Sequence, residues 1–175
     1  MGEEGGSSEL VMNREEENEE VEDSDDESCK FSEYGDIEKL ADDSFLGDDV
    51  SEEYREYWKQ VAMSEGFDVP SRRPKEAFGG VLRLDKSNPF YQYAEKGAEI
   101  AVAHYNEKRA PPDGKLRLVR LETVNGSAVA GMLYFLTIEA ENTVSHEKNL
   151  YQTSLYWRID KSWKVESFRK KKHAV

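Results

Sequence analysis

Hydrophobic positions in this chain follow a helical period twice and then settle into alternation. From Ser51 to Ser64, Tyr54, Trp58 and Val61 recur at i, i+4 and i+7, the spacing of one helical face. Ser51 suits the N-cap, Glu52 and Glu53 suit the positive end of the helix dipole, and Gly66 followed by Pro70 supplies a stop. This short aromatic helix is expected to pack against the following domain, with a free partner-binding helix as the alternative. Ser71 to Glu76, with Pro74 and two arginines, reads as a linker, and Ala77 to Leu84 as a glycine-led first strand. Asn88-Pro89 marks a second helix start, with Asn as cap and Pro at the first helical position. That helix has a lightly built face of Gly97, Ala98, Ala101, Val102 and Tyr105. A mid-helix Gly costs about 1 kcal/mol relative to Ala, so close packing on a sheet is the reason to expect one there. Pro111-Pro112 ends the helix by Ala110.

Strands follow. Lys115 to Val124 carries Leu116, Leu118, Val119 and Leu121 with a phase slip that predicts a bulge. Asn125-Gly126-Ser127 reads as a turn, placing a tight hairpin before Ala130. Ala130 to Ala140 sets Met132, Tyr134, Leu136 and Ile138 against Leu133, Phe135, Thr137 and Glu139. Leu150 to Ile159 puts Tyr151, Thr153, Leu155, Trp157 and Ile159 on one side. Asp160-Lys161-Ser162 is a turn and Trp163 to Lys170 the last strand. Strands joined by short turns require antiparallel pairing. The predicted fold is α+β, an antiparallel β-sheet of four to five strands wrapped on one long α-helix.

Charge divides the chain. Residues 1–50 hold 20 Asp and Glu against 3 Lys and Arg, a net of −17, whereas 51–175 carry a net of +4. So charged and apolar-poor a segment cannot offset its ordering entropy and is expected to be a disordered acidic tail. Ser24 and Ser28 lie in surroundings that acid-directed kinases favour. The expected division is 1–50 tail, 51–70 helix and linker, and 71–175 domain. No N-terminal apolar region and no long apolar run are present, so a soluble, intracellular protein, cytoplasmic or nuclear, is expected with no membrane partner. One cysteine, Cys29, rules out an internal disulfide and agrees with a reducing compartment; its carboxylate neighbours disfavour the thiolate.

Enzymatic chemistry is the least supported class. His104, His146 and His173 are far apart, lack metal-ligand spacing, and no glycine-rich phosphate loop precedes a helix. No catalytic residue, metal or cofactor is expected. The basic run Arg169 to Lys172 suits a solvated end better than a nucleic-acid site, because the acidic arm would compete with phosphates for it.

Over about residues 77–170 the pattern resembles the cystatin family, tight-binding protein inhibitors of papain-like cysteine proteases, and especially its plant branch. Gly79-Gly80-Val81 is similar to the family's glycine pair ahead of the first strand. The plant helix signature, Leu-Ala-Arg-Phe-Ala-Val-x-x-His-Asn, is kept at Ala98, Ala101, Val102 and Asn106, with Gly97 in place of an apolar residue. The Gln-x-Val-x-Gly hairpin is matched by Ser127, Ala128, Val129, Ala130 and Gly131 in all but the Gln, and the usual Pro-Trp pair by Ser162-Trp163 in the Trp alone.

The resemblance implies a wedge of three segments that enters a protease cleft and blocks it. The protease-binding residues it implies are Gly79, Gly80, Ser127, Ala128, Val129, Ala130, Gly131, Ser162 and Trp163. Ser162 gives up the preset backbone angle of Pro, and Ser127 is too short to repeat the contacts of Gln, so weakened inhibition is expected. The competing reading is a non-inhibitory interaction module of the same fold, acting through the acidic arm and the Tyr54/Trp58 helix. A hairpin of this fold can also exchange between copies, which leaves a domain-swapped dimer open.

Overall fold

Five strands lie in chain order across one antiparallel sheet: β1 (Leu82–Arg83), β2 (Leu116–Val129), β3 (Gly131–Asn142), β4 (Lys148–Arg158) and β5 (Trp163–Lys170). Helix α1 (Glu52–Met63) precedes them, and α2 (Tyr91–Lys108) connects β1 to β2. The structure, a computed structural model, describes residues 49–77, 79–108 and 114–172. The acidic segment with Ser24, Ser28 and Cys29, the Pro111-Pro112 break and His173 lie outside the described residues.

One face of the sheet packs on α2. Alternation turns Met132, Tyr134, Leu136 and Ile138 of β3 toward the helix, where they join Tyr151 and Leu155 of β4. The helix presents Ala94, Gly97, Ala98, Ala101 and Val102, all buried. Gly97 is the point of closest approach: a Cβ built there would lie 2.7 Å from Leu155 Cδ1 and 3.0 Å from Trp163 Cζ3. The light face therefore serves close packing, as the sequence predicts. Asn106 ties the far end of α2 to β2, its amide donating to the Leu116 carbonyl (2.9 Å) and its oxygen accepting the Leu116 N–H (2.8 Å).

The other face is covered as well, at its Leu133–Phe135 end. Tyr57, Trp58 and Val61 of α1, with Phe67, Val69, Ala77 and Val81 beyond it, form a second core on Leu133 and Phe135. Ser51 caps α1 through the Tyr54 N–H (3.2 Å), and Gly66, at φ +80°, turns the chain after it. Past Phe135 the outward positions of β3 become Thr137, Glu139 and Glu141. There Arg117 pairs with Glu141 at 2.8 Å and Arg120 with Glu139 at 3.5 Å. Along β3 the outer face thus turns from apolar to polar and charged.

Three local expectations are corrected. The first strand is only two residues long, and the segment before it is held by side chains: Ser127 Oγ donates to Gly79 O and Tyr57 Oη to Val81 O. Asn125-Gly126-Ser127 lies inside β2, and the pairing of Val129 with Gly131 puts the reversal at Ala130. Asn125 is 1% exposed and donates to the carbonyls of Gly66 (3.0 Å) and Phe67 (2.9 Å), so its side chain serves the second core. Ile159 falls beyond β4, in a turn closed by Arg158 N–H to Ser162 O (2.9 Å) and Lys161 N–H to Arg158 O (2.9 Å). The predicted bulge is present as register shifts between Leu118 and Arg120 and between Leu121 and Thr123.

Candidate functional site

Register decides which loops meet. Val129 opposes Gly131, Gly131 opposes Arg158, and Trp157 opposes Trp163, so the β2–β3 and β4–β5 turns project from the same end of the sheet. The glycine segment joins them through the Ser127 hydroxyl, which donates to Gly79 O at 3.1 Å. Three separated stretches of chain thus share one rim.

Within that rim the nine sequence-predicted residues divide by exposure. Gly79 is open: it sits at φ +69°, in the region that favours glycine, and a Cβ there would meet nothing within 4 Å. Ala128 and Ala130 are exposed, and Val129 is half-buried against the second core. Gly131 has φ +131°, and a side chain would run into the Trp157 carbonyl, so glycine is needed there to let β4 approach. Ser162 is exposed, with its N–H (2.9 Å) and hydroxyl (2.6 Å) both donating to Asp160 Oδ1. The hydroxyl bond, more than the others, holds the Asp160 carboxyl below its usual range.

The remaining three are drawn inward. Ser127 is buried and engaged with Gly79. Gly80 is buried beneath the phenol of Tyr57. Trp163 keeps its backbone at the rim, but its half-buried ring turns to the helix side. It lies 5.8 Å from the Tyr134 ring and stacks at 6.0 Å on Trp157, over Gly97. Tyr93 of α2 continues this stack on Trp157 at 4.4 Å.

Two residues of the rim escape a reading of the sequence. Ile159, 76% exposed at the β4–β5 turn, is the large apolar group that this turn offers to solvent. Its signal was its place at the end of an alternating strand, directly before a turn. Tyr57 falls one residue before Trp58 in the predicted stripe, yet it is buried and reaches the glycine segment. Trp58 is 7% exposed and Tyr54 half-buried, so the aromatic face of α1 is occupied by the sheet.

Among the described residues no three His, Cys, Asp or Glu side chains are grouped as a metal site requires, and no helix is long and apolar enough to cross a membrane.

Residues 87–172 match the family model of the cystatin domain. No curated protein matches the chain in sequence. Among solved structures, a salivary cystatin from the soft tick Ornithodoros moubata is 20% identical, with a TM-score of 0.41 over 54% of this chain and 98% of that one. Dimeric human cystatin F is 13% identical, with a TM-score of 0.44 over 59% of this chain and 97% of its own. Mialostatin, a gut cystatin from the hard tick Ixodes ricinus, is 14% identical, with a TM-score of 0.40 over 54% and 100%. With its five-stranded antiparallel sheet packed on one long helix, the chain has the cystatin-like fold, and residues 87–172 belong to the cystatin family.

Proposed function

We propose that this protein inhibits papain-like cysteine proteases by setting its rim into the active-site cleft. One observation carries the reading: register and the Ser127–Gly79 hydrogen bond place the glycine segment and both hairpin turns at the same end of the sheet. The rim offers small groups where a cleft is narrow, at Gly79, Ala128 and Ala130, and apolar surface at Val129 and Ile159. Backbone without a Cβ can approach a partner closely, and a projecting apolar residue seated in a pocket is typical of an interface anchor. Ser162 shapes the second turn, and Trp163 supports it from beneath. The protein is a binder, with no substrate turned over and no cofactor needed, as cystatins are inhibitors rather than enzymes.

The test is inhibition of papain by the whole chain, alone and with Ile159→Asp. Micromolar or tighter inhibition is expected, weakened at least about tenfold by the charge, since truncating an interface anchor costs roughly 2 kcal/mol. Circular dichroism of the variant should be unchanged, because Ile159 touches neither core.

A second reading draws on the inward position of Gly80, Ser127 and Trp163: an interaction module that binds a protein without inhibiting a protease. Absence of papain inhibition at micromolar concentration would favour it.

A further inference from the structure

We infer that α1 is an internal clasp, and that Tyr57 is the positioning residue that holds the glycine segment in place at the rim. Three observations converge on it. Tyr57 Oη donates to the Val81 carbonyl at 2.7 Å, within a buried setting. The same phenol covers Gly80 so closely that a Cβ there would collide with its oxygen and lie 3.1 Å from Cζ. On the other side, the Ser127 hydroxyl holds the Gly79 carbonyl at 3.1 Å. The segment is therefore gripped from α1 and from β2 at successive residues, although its own ladder contains only Leu82 and Arg83.

The grip has a chemical basis that persists across ordinary pH. Burial pushes the Tyr57 hydroxyl up to about 12, so it remains protonated and able to donate. It also assigns different roles to the two glycines. Gly80 is small because a ring of the same chain lies on it, and Gly79, at positive φ and open to solvent, is the one left to meet a partner.

Preorganisation raises apparent affinity by the fraction of molecules already in the competent arrangement. The consequence for binding rests on the inhibitor reading above, whereas the clasp itself does not. Tyr57→Phe keeps the ring and removes one buried hydrogen bond, a loss equivalent to about a tenfold change in a local equilibrium.

The experiment uses the whole chain with hydrogen exchange and papain inhibition side by side. In Tyr57→Phe, the amides of Leu82 and Leu84, which face β2, should exchange about tenfold faster, while those of Tyr134 and Leu155 keep their protection; papain inhibition should weaken, by at most about tenfold, because only the competent fraction of molecules changes. Conversely, Gly80→Ala should disturb the wild-type background more than the Tyr57→Phe background, where the colliding oxygen is gone. Unchanged exchange at Leu82 and Leu84, or equal loss of protection throughout the sheet, would overturn the clasp. Faster exchange with undiminished inhibition would overturn its role in binding. Faster exchange in a protein that never inhibits papain would support the clasp and refute the inhibitor reading.

Discussion

At the scale of single residues, Gly97 shows how one small side chain sets the course of a larger one. Where the plant signature has an apolar residue, this chain has hydrogen, and the Trp163 ring takes the space. Ala at this position would gain about 1 kcal/mol of helix propensity. Against that, its Cβ would stand 2.7 Å from a methyl of Leu155, which is fully buried, and 3.0 Å from Trp163. Overpacking of this kind costs about 1–3 kcal/mol, so it should prevail. Gly97→Ala is expected to lower unfolding free energy by about 1 kcal/mol, and Gly97→Leu by about 3 kcal/mol with displacement of Trp163. Denaturant midpoints and near-ultraviolet circular dichroism check this; an Ala variant as stable as wild type would show that the helix has room to lift. The substitution itself was legible in the sequence. That it seats a tryptophan was not, because residues 97 and 163 meet only once the sheet closes on the helix.

At the scale of elements, the alternating strands were legible because burial of one face imposes a period of two, and Asn106 kept its place because it bridges α2 to β2. Where the reading failed, long-range contacts outweighed local preference. Asn125-Gly126 has the chemistry of a tight turn. Instead, the Asn125 amide satisfies two carbonyls of the chain reversal after α1, and Gly126 leaves room for Met132 and Leu84. Asn125→Ala would strip both carbonyls of their donor in a buried site. Leaving buried polar groups unsatisfied costs about 1–3 kcal/mol, and a loss of that size is expected in chemical denaturation. A loss below about 0.5 kcal/mol would mean that the reversal is held by its own backbone hydrogen bonds and by Phe67 packing on Phe135.

At the scale of the molecule, the sheet has two cores rather than one, and β3 belongs to both: Tyr134 and Leu136 enter the core on α2, Leu133 and Phe135 the core under α1. The sequence did carry a hint of this. Leu133 and Phe135 on one side of β3, followed there by Thr137, Glu139 and Glu141, mark a face that needs an apolar cover over its first part and takes charge over the rest. A covering element some 70 residues upstream is not something a local period can name. Because successive residues of one strand anchor both layers, loss of either exposes apolar surface on the other's support, and the two should unfold together. The tryptophans report separately on each side: Trp58 lies under α1, and Trp157 and Trp163 lie against the core on α2. In Trp58→Phe, and in the paired Trp157→Phe/Trp163→Phe variant, the fluorescence midpoint in urea should coincide with that of far-ultraviolet circular dichroism measured on the same protein. A boundary near residue 70 makes the opposite forecast, with Trp58 losing its buried environment at lower urea than the sheet. Coincident midpoints in both proteins would establish α1 as part of the folding unit, the condition under which Tyr57 can hold the glycine segment whenever the rim exists at all.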